Sequence, residues 1–377
     1  EGRSLVASLL LGYRRYLLPG IVFQSVIIGG GYATGREIVE FGGKYGAYGL
    51  FAIAVMFVGF SLFSWLTFEV ARVFRAFDYH SWIRELIFWL WPVFDVLFVA
   101  MAVLVLGVLS AATGSIAQEV LGLPFWAGAG LVLMLVVVLN FYGKRVITRF
   151  KTVGTAALYS AFLLFGLYVI SARSGQIGTA LFQADTSYFN QLGIGTVLWA
   201  GVLYVGYNLA TLPTTLFVLD AQTSRRETLG AGIVAGALVM IPFSLTWLCL
   251  LGFYPDPQVI DAPVPWIRML SLSAPGWVLL LYGLVIVWTL VETCTGFIHA
   301  ILDRIDAGLN ELRGNGLKPL QSGAVAAGVL ILAGILSRFG IIDLIAKGYT
   351  AMAYGFLLLM ALPLVTVGLY RILRSGR

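Results

Sequence analysis

Long apolar stretches recur along the whole chain and limit its possible folds more than any other feature. Each has 18 or more residues, enough for a helix to cross a hydrocarbon core about 30 Å thick. Of the 377 residues, 60% are hydrophobic and 11% are charged, whereas soluble domains carry about a quarter charged residues. The sequence therefore predicts an all-α polytopic membrane protein, with 1–377 forming a single membrane domain.

Glycine, proline and charged residues divide the apolar stretches into about ten predicted transmembrane helices. The last stretch contains Gly348 and Gly355, which leaves open whether it is one kinked helix or two segments. The predicted spans cover 16–41, 47–71, 88–118, 124–142, 146–171, 194–219, 228–253, 276–303, 320–337 and 340–371.

The basic residues predict the orientation, because positively charged loops are retained in the cytoplasm. With a cytoplasmic N-terminus, most of the 24 lysines and arginines fall on the inner side. An even number of spans then places both termini in the cytoplasm. The predicted location is a prokaryotic inner membrane, and the sequence predicts no cleavable signal peptide. The basic residues left on the outer side are Arg36, Lys44, Arg173, Arg268, Arg338 and Lys347.

A cluster of glycines interrupts the first predicted span near its centre, in the segment from Gly29 to Gly35. Each glycine costs about 1 kcal/mol relative to alanine inside a helix. In lipid, irregular backbone persists only where protein buries it or where it lines a cavity, so we expect the segment from Gly29 to Gly35 to be non-helical and to line a cavity. The spacing of Thr34 and Glu37 is that of a capping box, which predicts a new helix after the glycines.

The sixth predicted span carries Asn208, Thr211 and Pro213 at a comparable depth. A proline inside a helix removes a backbone donor and clashes with the preceding turn, so a second break is expected. Two five-span halves, 16–171 and 194–371, that each begin with a broken helix are typical of an inverted-repeat transporter with its solute near the bilayer midplane. The predicted substrate-binding residues are Gly29, Gly30, Gly31, Tyr32, Thr34, Gly35, Tyr204, Tyr207, Asn208 and Thr211.

Two segments resemble a known group of proteins. GGGYATGREIVEF in the first span and LYVGYNLA in the sixth resemble motifs of the YkvI-type membrane proteins, which are similar to the amino acid, polyamine and organocation transporter superfamily with its LeuT-like five-plus-five fold. The resemblance implies a transporter of a small solute. Exposed glycine amides favour a carboxylate, which points to an amino acid or a related zwitterion or amine.

The eighth predicted span places Thr289, Glu292 and Thr293 on one helical face. A carboxylate at that depth is costly unless it is paired, protonated or ion-bound. The resemblance implies a sodium site between spans one and eight, while burial of Glu292 would also suit a proton carrier. A structural glutamate bonded to a neighbouring helix is the alternative, and Glu37 is the second candidate for coupling.

Arg36 opens the second half of the first span, four residues before Glu40. The spacing permits a self-paired, solvated helix end. The resemblance implies instead an outer gate in which Arg36 pairs with Asp343, although Lys347 competes for the same acid.

The proline-rich segment 254–275 is expected either to cap the protein or to serve as an ordinary connector.

Other functional classes fit the sequence less well. The phosphate-binding pattern G-x-x-x-x-G-K-[ST] is absent from the sequence, which argues against a nucleotide-driven pump. An enzyme would need a nucleophile with its base or a set of metal ligands, and the sequence predicts neither arrangement. It also predicts no cofactor and no nucleic-acid partner. The prediction is thus an ion-coupled solute transporter driven by Na+ or H+, with a channel or an uncoupled facilitator as the alternative.

Overall fold

The computed structural model describes residues 8–142, 144–189 and 193–375, with the backbone alone for 30, 140–142, 144–152 and 155. The described chain is almost entirely helical. Its main helices are α1 (Leu18–Ile27), α2 (Gly30–Ala33), α3 (Arg36–Phe41), α4 (Gly49–Phe74), α5 (Tyr79–Ile87), α6 (Trp91–Leu121), α7 (Phe125–Tyr142), α8 (Lys144–Ala172), α9 (Ser174–Phe182), α10 (Ile194–Asn208), α11 (Leu209–Ala221), α12 (Arg225–Leu251), α13 (Pro257–Ile260), α14 (Pro265–Ser273), α15 (Gly276–Arg313), α16 (Pro319–Leu336) and α17 (340–374). Short π- or 3₁₀-helical segments lie at Tyr13–Leu17, Gly43–Tyr48, Phe88–Leu90 and Ser337–Phe339.

Six of the described helices are long and apolar enough to cross a bilayer. A seventh results if the segments Ala156–Ala172 and Ser174–Phe182, bent by 75°, count as one span. The first predicted span is not among the six, because its helix is divided into short pieces. The all-α membrane fold is therefore confirmed, while the count of ten spans stays a prediction.

The final predicted span is one continuous helical path, α17, which includes three π-helical segments. Gly348 and Gly355 do not divide it. A side-chain carbon at Gly348 would lie 2.8 Å from Leu104, and one at Gly355 would lie 2.8 Å from Leu97. Both glycines therefore allow α17 to pack closely against α6, which is the usual role of small residues between membrane helices.

Glycines also bring together the helices that surround the first break. A side-chain carbon at Gly20 would lie 3.0 Å from the Cα of Ala235, so α1 packs directly on α12. One at Gly232 would lie 2.8 Å from Trp65, so α12 packs equally closely on α4. Because these helix backbones touch, α1 and the segments that follow it are held against a rigid frame.

Candidate functional site

The first predicted span breaks twice. α1 ends at Ile27, and Gly29 is extended (φ −99°, ψ −165°) before the single helical turn of α2. Gly35 then adopts a left-handed conformation with φ +83°, and α3 follows. The interruption predicted from the glycines is present, but the expectation of a wholly non-helical segment from Gly29 to Gly35 is wrong, because Gly30 to Ala33 form one turn.

The predicted capping box at Thr34 and Glu37 is absent. The residue before α3 is Gly35, and it makes no side-chain cap. Thr34 Oγ1 donates to the carbonyl of Gly31 at 2.6 Å and accepts from the amide of Arg36 at 3.2 Å. Glu37 instead accepts a hydrogen bond from the hydroxyl of Tyr207 on α10.

The sixth predicted span changes helix type at the expected position. α10 ends at Asn208 and continues as the 3₁₀ helix α11, which contains Pro213. Asn208 Nδ2 donates to the carbonyl of Tyr204 at 2.9 Å, and Thr211 Oγ1 donates to the carbonyl of Asn208 at 2.7 Å. Side chains therefore satisfy backbone groups where the α-helical pattern stops.

The two breaks meet around a small cavity of about 50 Å³. Its lining includes eight residues predicted for the solute or the coupling ion: Gly29, Gly31, Tyr32, Glu37, Tyr207, Asn208, Thr211 and Thr293. The wall also includes Phe98, Met101 and Tyr349, for which no polar or periodic pattern in the sequence provided a signal. The described backbone of Gly30 begins the turn beside this cavity.

Three predicted substrate-binding residues lie behind the wall of this small cavity. Tyr204 is fully buried, and its ring packs against Phe41 and Phe243 with centroids 5.6 and 5.0 Å away. Thr34 and Gly35 face the segment 254–275. These three residues support the site and do not line it.

Glu37 lines the small cavity and is 5% exposed. Tyr207 OH donates to its Oε2 at 2.7 Å. A side-chain carbon at position 31 would lie 2.5 Å from its Oε1, so a glycine there makes room for the carboxylate. The alternative of a solvated helix end is therefore wrong for Glu37, which is buried.

A larger cavity of about 510 Å³ adjoins the small one and shares Gly29, Thr211 and Thr293 with it. It reaches the molecular surface at Ser25 and Thr214, which are exposed. The small cavity is lined by buried or partly buried residues, so the larger one lies between it and the surface. From Thr214, α11 runs on to Ala221, whose carbonyl accepts from Arg15, so this surface lies on the side of the N-terminus.

The predicted coupling residues lie together on the wall of the larger cavity. Thr289, Glu292 and Thr293 all contribute to it from α15. A side-chain carbon at Gly29 would lie 3.3 Å from Thr293 Oγ1, which brings the first break against α15 at this point. Thr289 Oγ1 donates to the carbonyl of Val285 at 2.8 Å within its own helix.

The segment 254–275 folds back over the opposite side of the breaks as a cap. The amide of Trp266 donates to the carbonyl of Thr34 at 3.1 Å, and Trp266 is fully buried. A side-chain carbon at Gly35 would lie 3.0 Å from the Trp266 ring. Of the two alternatives for this segment, the structure shows the cap.

Arg36 binds this cap. Its Nη1 donates to the carbonyls of Ile260 at 2.6 Å and Ala262 at 3.2 Å, while Nη2 lies 3.5 Å from Glu40. Asp343 pairs with Lys347 at 2.9 Å. The predicted Arg36–Asp343 gate pair is therefore absent, because the neighbouring lysine takes the acid and cap carbonyls take the guanidinium.

The broken first helix, the altered sixth helix and the cavity between them define a polytopic helical membrane protein with a LeuT-like fold. No protein-family model matches the chain. The chain is 24% identical over 348 residues to the uncharacterized membrane protein YkvI of Bacillus subtilis (strain 168), covering 88% of this chain and 90% of YkvI. The resemblance to YkvI-type membrane proteins is thereby confirmed.

Two solved structures share this fold. The manganese transporter of Eremococcus coleocola, in complex with an aromatic bis-isothiourea substituted compound, has a TM-score of 0.54 at 16% identity, over 97% of this chain and 78% of that chain. A Na+-coupled sialic acid symporter in a substrate-bound outward-open state has a TM-score of 0.51 at 15% identity, over 94% of this chain and 84% of that chain. At these identities the similarity concerns the fold.

Proposed function

We propose that this protein is a secondary active transporter of a small organic solute, an amino acid or a related zwitterion or amine, that works by alternating access. The observation that carries the proposal is the asymmetric access to the small cavity. The cap covers the breaks on one side, and the larger cavity reaches the surface on the other. The two halves, 16–171 and 194–371, form the inverted repeats of this proposal.

The similar solved structures support the transport function and leave the solute open. One is a manganese transporter and the other is a Na+-coupled sialic acid symporter. Manganese and sialic acid are chemically unrelated. The lining of the small cavity combines aromatic rings, glycine backbone, one amide and one carboxylate. Such a mixture of apolar walls and a few polar groups suits a small organic solute.

In the proposed orientation both termini are cytoplasmic, and the larger cavity opens toward the cytoplasm. The structure would then represent an inward-facing state with the outer cap closed. Transport would move the cap and α3 away from the breaks and close the larger cavity, since a carrier exposes its site to one side at a time.

Coupling is proposed at Glu292. If sodium binds, its hard-cation chemistry would use the Glu292 carboxylate, the hydroxyls of Thr289 and Thr293 and carbonyls of the first break. If no ion binds, Glu292 would instead carry a proton. It would take up and release this proton as the cavity opens in turn to each side of the membrane. We favour the proton, because the hydroxyls match the sodium site of LeuT-like carriers only in part.

Uptake into proteoliposomes tests the transport function. A transporter predicts saturable uptake with a slow turnover, whereas linear, unsaturated flux would support a channel or an uncoupled facilitator. Wild-type uptake should follow an imposed pH gradient in sodium-free buffer.

The Glu292→Gln variant tests the coupling residue. It should lose accumulation against a gradient and retain solute exchange, because it keeps the side-chain shape and removes the charge. Glu311→Gln, at the far end of the same helix, is the matched control and should accumulate normally. Normal accumulation by Glu292→Gln would assign Glu292 a structural role.

A further inference from the structure

We infer that Glu37 recognises a cationic nitrogen of the transported solute, so that the substrate class is restricted to molecules with an ammonium group. The inference rests on the proposed transport function and names the group that the small cavity binds. It starts from charge: of the described residues that line the small cavity, Glu37 alone carries a formal charge.

The described surroundings of Glu37 contain no basic partner for its carboxylate. Among the described side chains, no lysine, arginine or histidine nitrogen lies within 4.0 Å of its carboxylate. The adjacent Arg36 is committed to the cap carbonyls and to Glu40. Tyr207 supplies one hydrogen bond, which is less than an ionised carboxylate requires when it is removed from water.

The geometry leaves one carboxylate oxygen available to a ligand. Tyr207 binds Oε2, and Oε1 lies against Gly31, where the missing side chain creates the space. Because a side-chain carbon there would approach within 2.5 Å, a glycine at position 31 leaves the room that Oε1 occupies at the wall of the small cavity, which both residues line. Among the described residues, Oε1 has no hydrogen-bond partner, since Tyr207 binds Oε2. A charged donor that enters the cavity therefore meets Oε1 directly.

The rest of the lining suits an ammonium group. Tyr207 and Tyr349 place their ring centroids 4.8 Å apart beside Glu37, and tyrosine faces attract cations. The Asn208 amide nitrogen is used by the carbonyl of Tyr204, which leaves its oxygen as an acceptor. The buried hydroxyl of Tyr32 has no hydrogen-bond partner among the described residues. An ammonium group donates three hydrogen bonds, and these oxygens can accept them.

Size gives a second restriction. The small cavity has a volume of about 50 Å³, and a water molecule needs about 10–15 Å³ of cavity volume. The small cavity therefore admits a head group of only a few heavy atoms. The remainder of the solute would extend into the adjoining cavity, whose wall includes Leu158, Phe98 and Phe297. The fit is to a primary amine or an amino acid with its ammonium group at Glu37.

Matched ligand sets test this inference. We would compare ethylamine, alanine and propionate; isobutylamine, valine and isovalerate; and phenethylamine, phenylalanine and hydrocinnamate, by the thermal unfolding of the purified protein. Within each set the ammonium group is present or absent on the same hydrocarbon part. The inference predicts that stabilisation is confined to amines and amino acids.

Variants then assign the effect to Glu37. For the best ligand of the series, Glu37→Gln should raise the Kd about tenfold or more, because hydrogen bonds to charged groups are lost. Tyr207→Phe should raise it less, since the charge remains. Glu311→Gln, at a surface ion pair with Arg84, is the control and should bind as the wild type does.

Three results would overturn the inference: stabilisation by the carboxylates equal to that by the amines, no stabilisation by any ammonium compound, or an unchanged Kd for Glu37→Gln. They are separable from failure of the transport function. Saturable uptake of an anionic solute would retain the transporter and remove the role of Glu37. Ammonium binding that depends on Glu37 without uptake would retain the site and remove the transporter.

Discussion

The interaction of Arg36 with the cap gives the sharpest quantitative prediction. Arg36 is 3% exposed, and its guanidinium donates to the carbonyls of Ile260 and Ala262 at 2.6 and 3.2 Å. Arg36→Met keeps most of the side-chain length and removes the donors. Glu40 keeps its partner Lys44, so the interactions lost are mainly the hydrogen bonds from Arg36 to the cap.

The expected size follows from the charged hydrogen bonds. A hydrogen bond to a charged group contributes about 1.5–3 kcal/mol, and about 1.4 kcal/mol corresponds to a tenfold change in an equilibrium constant. The opening equilibrium of the cap should therefore rise about ten- to hundredfold in Arg36→Met. The prediction treats the segment 254–275, which contains α13 and α14, as one unit that opens together.

Hydrogen exchange followed by mass spectrometry measures this opening. Peptides from 254–275 should exchange about ten- to hundredfold faster in the variant, including the amide of Trp266 that binds Thr34. Lys347→Met is the matched control, because Lys347 is exposed and pairs locally with Asp343. Unchanged exchange in Arg36→Met, or equal acceleration in the control, would refute the assignment of Arg36 to the cap.

Two further predictions concern the site and its frame. Gly31→Ala should lower solute affinity and uptake severalfold, because the added carbon displaces the Glu37 carboxylate; Gly283→Ala, with no atom within 4 Å of the added carbon, should transport normally, and equal uptake by both would contradict the site. Asp95→Asn should lower the free energy of unfolding by about 1–3 kcal/mol, since Asp95 binds Arg304 at 2.6 Å with both side chains largely buried. Asp343→Asn, at an exposed pair, should change the free energy by less than about 1 kcal/mol, and denaturant unfolding in detergent compares the two.

The helix breaks could be predicted from the sequence because their causes are local. The glycines around Gly31 and the ring of Pro213 act on the backbone within one turn of their own positions. The single turn of α2 was not predicted, since glycine disfavours a helix without forbidding it. Packing against α15 and the cap decides the backbone there.

The destinations of the charged side chains could not be predicted, because their partners are distant in the sequence. Glu37 binds Tyr207, and Arg36 binds the carbonyls of the cap, more than 160 residues away in both cases. Local spacing instead suggested a capping box between Thr34 and Glu37. The resemblance suggested that Arg36 pairs with Asp343. Tertiary contacts decided the partners of Glu37 and Arg36, as they commonly override local preferences, whereas Asp343 pairs locally with Lys347.

Thiol labelling of Thr211→Cys tests the central claim most directly, because Thr211 lines both cavities between the two breaks. In a background without Cys249 and Cys294, a charged membrane-impermeant reagent would be applied separately to each side of the membrane. Alternating access predicts labelling from the N-terminal side in the state described here, and labelling from the cap side that increases when Arg36→Met weakens the cap. Labelling from neither side, or from the cap side at a rate independent of Arg36, would contradict the account.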